Sequence, residues 1–424
     1  MRKKLGIVLL ANVAVALATC GISAAATGEQ SARGASASSL SLITLPSASG
    51  IGQIYGAING AKHSINLTMY ELSDPTAEAD LVKAHDRGVA VHVLLNSGYY
   101  GAGFPQDKAS YSYLKAHGVS VKWTPSYFAL THQKTLTIDD KVSYILTANL
   151  TKDYYASSRD FAIVDSNASD VAAISTVFNA DWSGHNLKES EPKGIDLVWS
   201  PSALSATLNL INSAKSSIDI YNEEMDQYKV VDALVAAAKR GVNVKVTMTA
   251  DSSWDSNFDE LAKAGVHVHL YASSASLYIH AKMILVDGVR VFLGSQNFST
   301  SSLEDNRELG IIFSSPSIIA SLSATFTSDF AKASPYDDSS ENSTPPSSGS
   351  AHLTASYDAS YSDWNVDVYG AAPDTTATAT DGSYSGSYRT NSSGHADIYL
   401  KAPKSAQGTK VTVTVGSEKI TGTL

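Results

Sequence analysis

The chain has a single cysteine, Cys20, among 424 residues. No disulfide can form within it, so its stability has to come from packed cores. Basic runs and stripes are missing too. The 31 Lys and Arg are outnumbered by 41 Asp and Glu, for a formal charge of −10. A non-specific nuclease draws much of its affinity from basic side chains along the phosphate track, so this balance argues against one. It argues equally against an electrostatic grip on an anionic membrane. No clustered metal-ligand pattern stands out, and no metal or other cofactor is expected. Long apolar runs are scarce. Residues 5–18 form one of 14 residues, too short to span a membrane comfortably, and no other segment can cross.

What is present begins with that apolar run. Arg2-Lys3-Lys4 precedes it and Ala24-Ala25-Ala26 follows, the layout of a secretory signal cleaved after residue 26. The alternative is lipid attachment at Cys20, for which the preceding Thr19 is an unusual neighbour. Either way the chain is expected outside the cytoplasm, with no transmembrane segment once mature.

Two copies of one pattern then organise the sequence. His132-Gln133-Lys134 leads to Asp139, and His280-Ala281-Lys282 leads to Asp287; both read H-x-K, four residues, Asp. The histidines are 148 residues apart, and the same offset carries Asn149 onto Asn297, Arg159-Asp160 onto Arg307-Glu308, and Phe178 and Asp181 onto Phe326 and Asp329. Upstream, an offset of 153 carries Ala61-Lys62 through Glu71 onto Ala214-Lys215 through Glu224. A repeat of about 145 residues has the size of a duplicated domain rather than of a solenoid unit.

Side chains two apart on a strand share a face. His132 and Lys134 should therefore point the same way, as should His280 and Lys282, with Leu136, Ile138, Ile284 and Val286 continuing that face into a core. Asp139-Asp140 and Asp287-Gly288 read as hairpin turns. The returning strands, 144–148 and 290–293, bring Asn149 and Asn297 back beside the His-Lys pairs. Two such surfaces face to face would make a pseudo-symmetric cleft.

A phosphodiester suits that set. Lysine supplies point charge and asparagine fixed amide donors to phosphate oxygens, stabilising the charge that builds on five-coordinate phosphorus. A neutral histidine can attack phosphorus, and a protonated one can donate to the departing alcohol and later take a proton from water. Each histidine needs a carboxylate to fix its tautomer. Asp160 and Glu308, each 28 residues after the histidine of its own half, are the candidates.

With these residues the chain resembles the phospholipase D superfamily, over roughly residues 42–333. The resemblance implies two α/β lobes about a pseudo-twofold axis, with the site at their junction, and metal-independent two-step displacement through a phosphohistidine. It implies that His132 is the nucleophile and His280 the general acid and base. Asp139 and Asp287 then support local structure. The family's Gly-Ser-x-Asn stands intact as Gly294-Ser295-Gln296-Asn297, whereas the first half has Leu146-Thr147-Ala148-Asn149. Thr147 and Ser295 are counted with Lys134, Lys282, Asn149 and Asn297 as phosphate-binding residues. Leu146 puts bulk where the family's backbone approach is close.

The other chemistry-bearing residues carry less. His267 and His269 share a strand face, but their counterparts, Ser120 and Lys122, cannot repeat a metal pair. Glu223-Glu224-Met225-Asp226 reads as a solvated loop and helix start, with a role near the cleft as the alternative because Glu71 is its repeat partner.

The expected layout is a signal at 1–26, a flexible leader at 27–41, lobes at 42–190 and 191–333, a Ser/Pro-rich linker at 334–351 and a β-sandwich of immunoglobulin-like type at 352–424. The expected activity is a secreted, monomeric phosphodiesterase acting on phospholipid head groups. The alternatives are a metal-independent nuclease, a phosphatidyl-transferring synthase and an inactive phosphate-binding relative.

Overall fold

A computed structural model describes residues 39–98, 107–337, 351–358, 363–372, 375–390, 394, 396–400 and 402–424. The expected signal segment with Cys20, nearly all of the leader and most of the Ser/Pro-rich linker lie outside the described residues.

The first lobe contains strands β1 Leu40–Leu45, β2 Ser64–Met69, β3 Ala90–Leu95, β4 Ser120–Trp123, β5 Thr135–Ile138, β6 Val142–Leu146 and β7 Ser158–Asp165, with helices α1 Ala48–Gly60, α2 Pro75–Asp86, α3 Lys108–Ala116 and α4 Ala168–Ser183. Its sheet runs β1-β7-β6-β5-β2-β3-β4. The second lobe contains β8 Leu197–Ser200, β9 Ser217–Tyr221, β10 Asn243–Thr249, β11 His267–Tyr271, β12 Tyr278–Ile279, β13 Lys282–Val286, β14 Arg290–Gly294, β15 Glu308–Phe313 and β16 Ser334–Pro335, with α5 Ala203–Ser213, α6 Tyr228–Lys239, α7 Asp255–Lys263 and α8 Pro316–Lys332. Its sheet runs β8-β15-β14-β13-β9-β10-β11-β16. Apart from the added β16 edge, the two orders are the same, as a duplicated unit requires.

Local chemistry sets the elements. Asp74 caps α2 by accepting from the Thr76 amide, and Pro75 takes the first turn, where no amide donor is needed. Gly88, at φ +89°, turns the chain out toward β3. Both hairpin turns have two positive-φ residues, Asp139 and Asp140 at +54° and +51°, and Asp287 and Gly288 at +52° and +65°. That geometry matches the right-handed twist of the strands it joins. The parallel strands β2, β3, β9 and β10 are covered by helices and are accordingly rich in Val, Ile and Leu.

Each lobe has its own core beneath its helices, around Ile58, Leu67, Leu81 and Val93 in the first and Ile220, Leu234, Val244 and Phe258 in the second. A third core takes residues from both lobes, among them Phe161, Ile163, Met283, Leu293 and Leu309. Burying each such side chain contributes roughly 1.5–3 kcal/mol, so the lobes are held as one body rather than as loosely linked domains. β12 strengthens this by leaving its own sheet and pairing in parallel with β7 of the first lobe.

The C-terminal region forms two antiparallel sheets. One is β17 His352–Asp358, β18 Asp363–Tyr369 and β21 Ala396–Leu400; the other is β20 Ser385–Arg389, β19 Thr376–Thr380, β22 Lys410–Val415 and β23 Glu418–Thr423. Trp364, Val366, Ile398, Val411 and Val413 form a core common to both. The α/β class, the twin lobes and the added β-sheets agree with the sequence expectation.

Candidate active site

Neither motif histidine lies on a strand. β5 begins at Thr135 and β13 at Lys282, so His132 and His280 sit on the approach to their hairpins. Their backbones are hung from the opposite lobe. His132 and Gln133 amides both donate to Arg307 O at 3.0 Å, and the Ala281 amide donates to Arg159 O at 2.8 Å, with His280 at 3.3 Å. The two arginines are themselves fixed across the molecule. Arg307 pairs with Asp181 on α4 through Nε at 3.0 Å, and also with Glu191. Arg159 pairs with Asp329 on α8 through Nε at 2.6 Å. All four repeat-matched positions, 159 with 329 and 307 with 181, therefore join one lobe to the other.

The side chains cross in the same way. Glu308 Oε2 lies 2.9 Å from His132 Nδ1, and Asp160 Oδ1 lies 2.8 Å from His280 Nδ1. This corrects the pairing taken from sequence spacing. Asp160 and Glu308 are the orienting acids, but each serves the histidine of the other half, because β7 and β15 reach the junction from opposite sides. An ionised carboxylate only accepts, so it fixes the proton on Nδ1 and leaves Nε2 turned to the cleft. Ser302 and Asn306 brace Glu308 at 2.5 and 3.1 Å. Burial alone would raise the Glu308 pKa. The His132 imidazole, Lys134 and the Ser302 hydroxyl outweigh it and keep the acid below its ordinary value. His132 goes the other way. Burial, reinforced by the Lys134 charge, brings its pKa down to about 4, so the ring is neutral near pH 7.

Lys134 and Lys282 lie under the cleft floor, and each donates to the carbonyl of its own motif histidine, at 2.7 and 2.6 Å. Burial and the neighbouring Lys282 charge bring Lys134 down to about 7. Asn149 Nδ2 is 3.4 Å from Glu71, and Asn297 Nδ2 is 3.0 Å from Glu224 and 3.4 Å from Glu223. Glu223 also takes Lys282 Nζ at 2.7 Å. The 223–226 segment is thus a cleft wall and not a solvated loop. The repeat, which carries Glu71 onto Glu224, had kept this second reading open. Burial raises Glu71, and raises Glu224 to about 7, with the Glu223 charge adding to the rise. At Glu223 burial is outweighed by Lys282, and the acid stays ionised.

Three expected roles move. Thr147 is fully buried and donates to Asp160 at 2.6 Å, while accepting from the Phe161 amide. Ser295 is equally buried and accepts from the Leu309 amide at 3.3 Å. Both hydroxyls are held by these internal partners, so they act behind the site and brace it. The Gly294-for-Leu146 difference is also a matter of packing. A Cβ on Gly294 would stand 2.4 Å from Gly310 Cα, its cross-strand partner. In the first lobe the corresponding pair is Leu146 with Ala162, and Leu146 is buried in the lobe core. Asp139 accepts from the amides of Lys62, His63 and Ser64, and Asp287 from those of Lys215, Ser216 and Ser217. They tie each hairpin turn to the start of the neighbouring strand. His269 stacks on Phe330 at 3.7 Å with Nδ1 at 2.8 Å from its carbonyl, and His267 is exposed.

The two imidazoles open into one cavity of about 1180 Å³. Glu71, Glu223, Glu224, Asp226, Asp251 and Asp305 line it, with Tyr70, Tyr154, Tyr155 and Tyr278. No Lys or Arg is among its described lining residues. The C-terminal sheets supply part of the wall through Tyr357, Tyr388 and Tyr399. Tyr388 Oη donates to Asp226 O at 2.6 Å.

The family model described as "Cardiolipin synthase, PLD-like domain" matches residues 54–182 and 207–330, more than half of the chain and one match per lobe. The chain belongs to the phospholipase D superfamily. Phospholipase D Z of Dictyostelium discoideum is 32% identical over 164 residues, which is 33% of this chain and 38% of that protein, so the chain spans less than half of that relative's length. Cardiolipin synthase of Listeria monocytogenes serotype 4a is 23% identical over 319 residues, 65% of each. The phosphatidylserine synthase structure from Haemophilus influenzae Rd KW20 superposes with a TM-score of 0.57 at 13% identity, covering 72% of this chain and 88% of that one, a likeness of fold. The family match stops short of the C-terminal sheets.

Proposed function

We propose that this phospholipase D superfamily member is a secreted phosphodiesterase that removes the head group of phospholipids. His132 Nε2 attacks phosphorus and the P–O bond to the head-group alcohol breaks, leaving a phosphohistidine. His280 gives its proton to the departing alkoxide oxygen. In the second step His280 takes a proton from water, the hydroxide displaces His132, and phosphatidic acid leaves. Lys134, Lys282, Asn149 and Asn297 hold the phosphoryl oxygens through both steps. His132 is assigned the attack because burial keeps it neutral and Glu308 keeps its free lone pair on Nε2.

The observation that carries the choice of substrate is the cleft wall. A polyanionic strand would meet acids and tyrosines with no Lys or Arg to receive its flanking phosphates. A lipid such as phosphatidylethanolamine brings one phosphodiester and a head group that carries no further phosphate. A second reading, transfer of the phosphatidyl group to an alcohol, is supported by the names of the cardiolipin synthase and phosphatidylserine synthase relatives. In that case an alcohol replaces water in the second step.

The test is a phospholipid panel, with plasmid and single-stranded DNA beside it, in EDTA, with and without added glycerol. Release of head group with phosphatidic acid supports hydrolysis, and a glycerol-dependent phosphatidylglycerol product supports transfer. DNA cleavage, or loss of lipid turnover on chelation, would overturn the reading. Export is proposed from Arg2-Lys3-Lys4 and the apolar run after it; intact-mass measurement of the exported chain, beginning at residue 27 or at a lipidated Cys20, checks it.

A further inference from the structure

Two donors of the second half converge on one carboxylate oxygen, and the His280 ring stands beside it. Glu223 Oε2 lies 2.7 Å from Lys282 Nζ, 3.4 Å from Asn297 Nδ2 and 3.5 Å from His280 Nε2. These are the lysine, asparagine and histidine that would receive a phosphoryl oxygen. Glu223 Oε1 accepts from Tyr278 Oη at 2.8 Å, so a residue at the cleft mouth holds the carboxylate in place. The Glu223 side chain is 23% exposed, which puts it in the cleft and not beneath it.

The first half has no such arrangement. The repeat offset carries Glu223 onto Tyr70, whose ring meets His132 edge-on at 4.5 Å and lies under Lys134 Nζ at 4.9 Å. Lys134 is as buried as Lys282 and has a ring where Lys282 has a carboxylate. Lys134 stays buried without a carboxylate against it, but burial brings its pKa down to about 7, so Glu223 is a counter-ion that also occupies the cleft side of Lys282, where an anionic ligand would sit.

We propose that Glu223 stands in for a phosphoryl oxygen in the free protein, is displaced when the phosphodiester binds, and thereby selects head groups that carry a hydrogen-bond donor, an ammonium or a hydroxyl. The inference rests on the phosphodiesterase reading. Displaced Glu223 stays among Glu224, Asp226 and Asp251, with no Lys or Arg among the described lining residues to receive it. An uncompensated carboxylate there is costly. A head group with a donor next to the phosphate compensates it, and a head group without one leaves it stranded.

The test uses sulfate, which accepts hydrogen bonds and has none to give at neutral pH, and the full chain. Glu223→Gln leaves Lys282 without its resident anion, and sulfate binding by calorimetry should tighten by about tenfold or more. Tyr278→Phe, which keeps the ion pair but loosens its hold, should tighten it by about threefold and serves if the first variant does not fold. Structural damage would weaken binding, not strengthen it. In turnover, the preference of kcat/KM for phosphatidylethanolamine over phosphatidylmethanol should fall toward unity in Glu223→Gln. Sulfate affinity equal to or weaker than that of the natural chain in both variants, or an unchanged preference, overturns the inference while the phosphodiesterase reading stands. No sulfate binding by any of the three proteins overturns that reading, and the inference with it.

Discussion

The two halves build the same His-Lys-Asn set on the same sheet order and then surround it differently. In the first, His132 meets the edge of Tyr70 and answers to one carboxylate, Glu308. In the second, His280 lies within reach of two, Asp160 and Glu223. Duplication supplies symmetry of position, while the reaction needs two unlike imidazoles, one with a free lone pair and one with a proton to give. The unlike surroundings come from few residues, chiefly Tyr70 against Glu223. The crossed acids matter as much. Because each half finishes the other's site, neither can drift or separate without damaging both.

The largest effect expected from breaking the comparison is at the histidines. His132→Ala should lose at least about 10⁴-fold in kcat on natural and activated substrates alike, since no other group forms the covalent bond. His280→Ala should keep measurable cleavage of an activated aryl phosphodiester, whose leaving group needs little protonation. Steady-state rates on the two substrate types check this, and the reverse pattern would exchange the roles. Next come the crossed acids. Glu308→Gln should cost about 10³- to 10⁴-fold in kcat by freeing the wrong His132 tautomer. Its first-half counterpart, Asp160→Asn, should instead spare the activated substrate, as a defect at His280 would. If each acid served its own half, the two phenotypes would be swapped, so the same rates test the crossing.

Stability sharpens the comparison further. Arg307 is fully buried between Asp181 and Glu191, whereas the Arg159 side chain is 12% exposed and faces Asp329. Arg307→Ala should cost about 3–5 kcal/mol by stranding buried carboxylates. Arg159→Ala should cost measurably less. Denaturant unfolding of both variants decides, and equal losses would mean that the two ties are equivalent. The smallest effect is at the C-terminal wall. Tyr388→Phe removes a bond to the Asp226 carbonyl worth about 1 kcal/mol, and KM should rise by about fivefold with kcat little changed.

Much of this was legible in the chain before any coordinates. The hairpin turns, the strands and α2 follow from Asp-Gly and Asp-Pro signals and from alternating or buried apolar runs, all local features. The His-Lys-Asn sets came from the repeat. What sequence spacing mistook was whatever depends on how the halves dock. It paired Asp160 and Glu308 with their own histidines, because distance along the chain says nothing about which side of a junction β7 and β15 arrive from. It read 223–226 first as a solvated loop and only second as part of the cleft, because a run of acids has the composition of a loop and only contact with Lys282 and Asn297 makes it a wall. Thr147 and Ser295 were given to phosphate although both hydroxyls are held inside, because each sits one residue past the end of its strand, where the face is set by the packing and not by alternation. The Arg307–Asp181 and Arg159–Asp329 ties were already present as matched positions at one offset, but a match shows equivalence and not contact.

The central claim is that two equivalent histidines have been made unequal, with His132 the one that attacks. The direct measurement is to react His280→Ala with an activated phosphodiester, quench, digest, and locate the added phosphoryl group by mass spectrometry under conditions that spare phosphohistidine. The account expects the label on the peptide containing His132 and none on the same protein carrying His132→Ala as well. A label on any other residue, or rapid turnover with no trapped label at all, would contradict it.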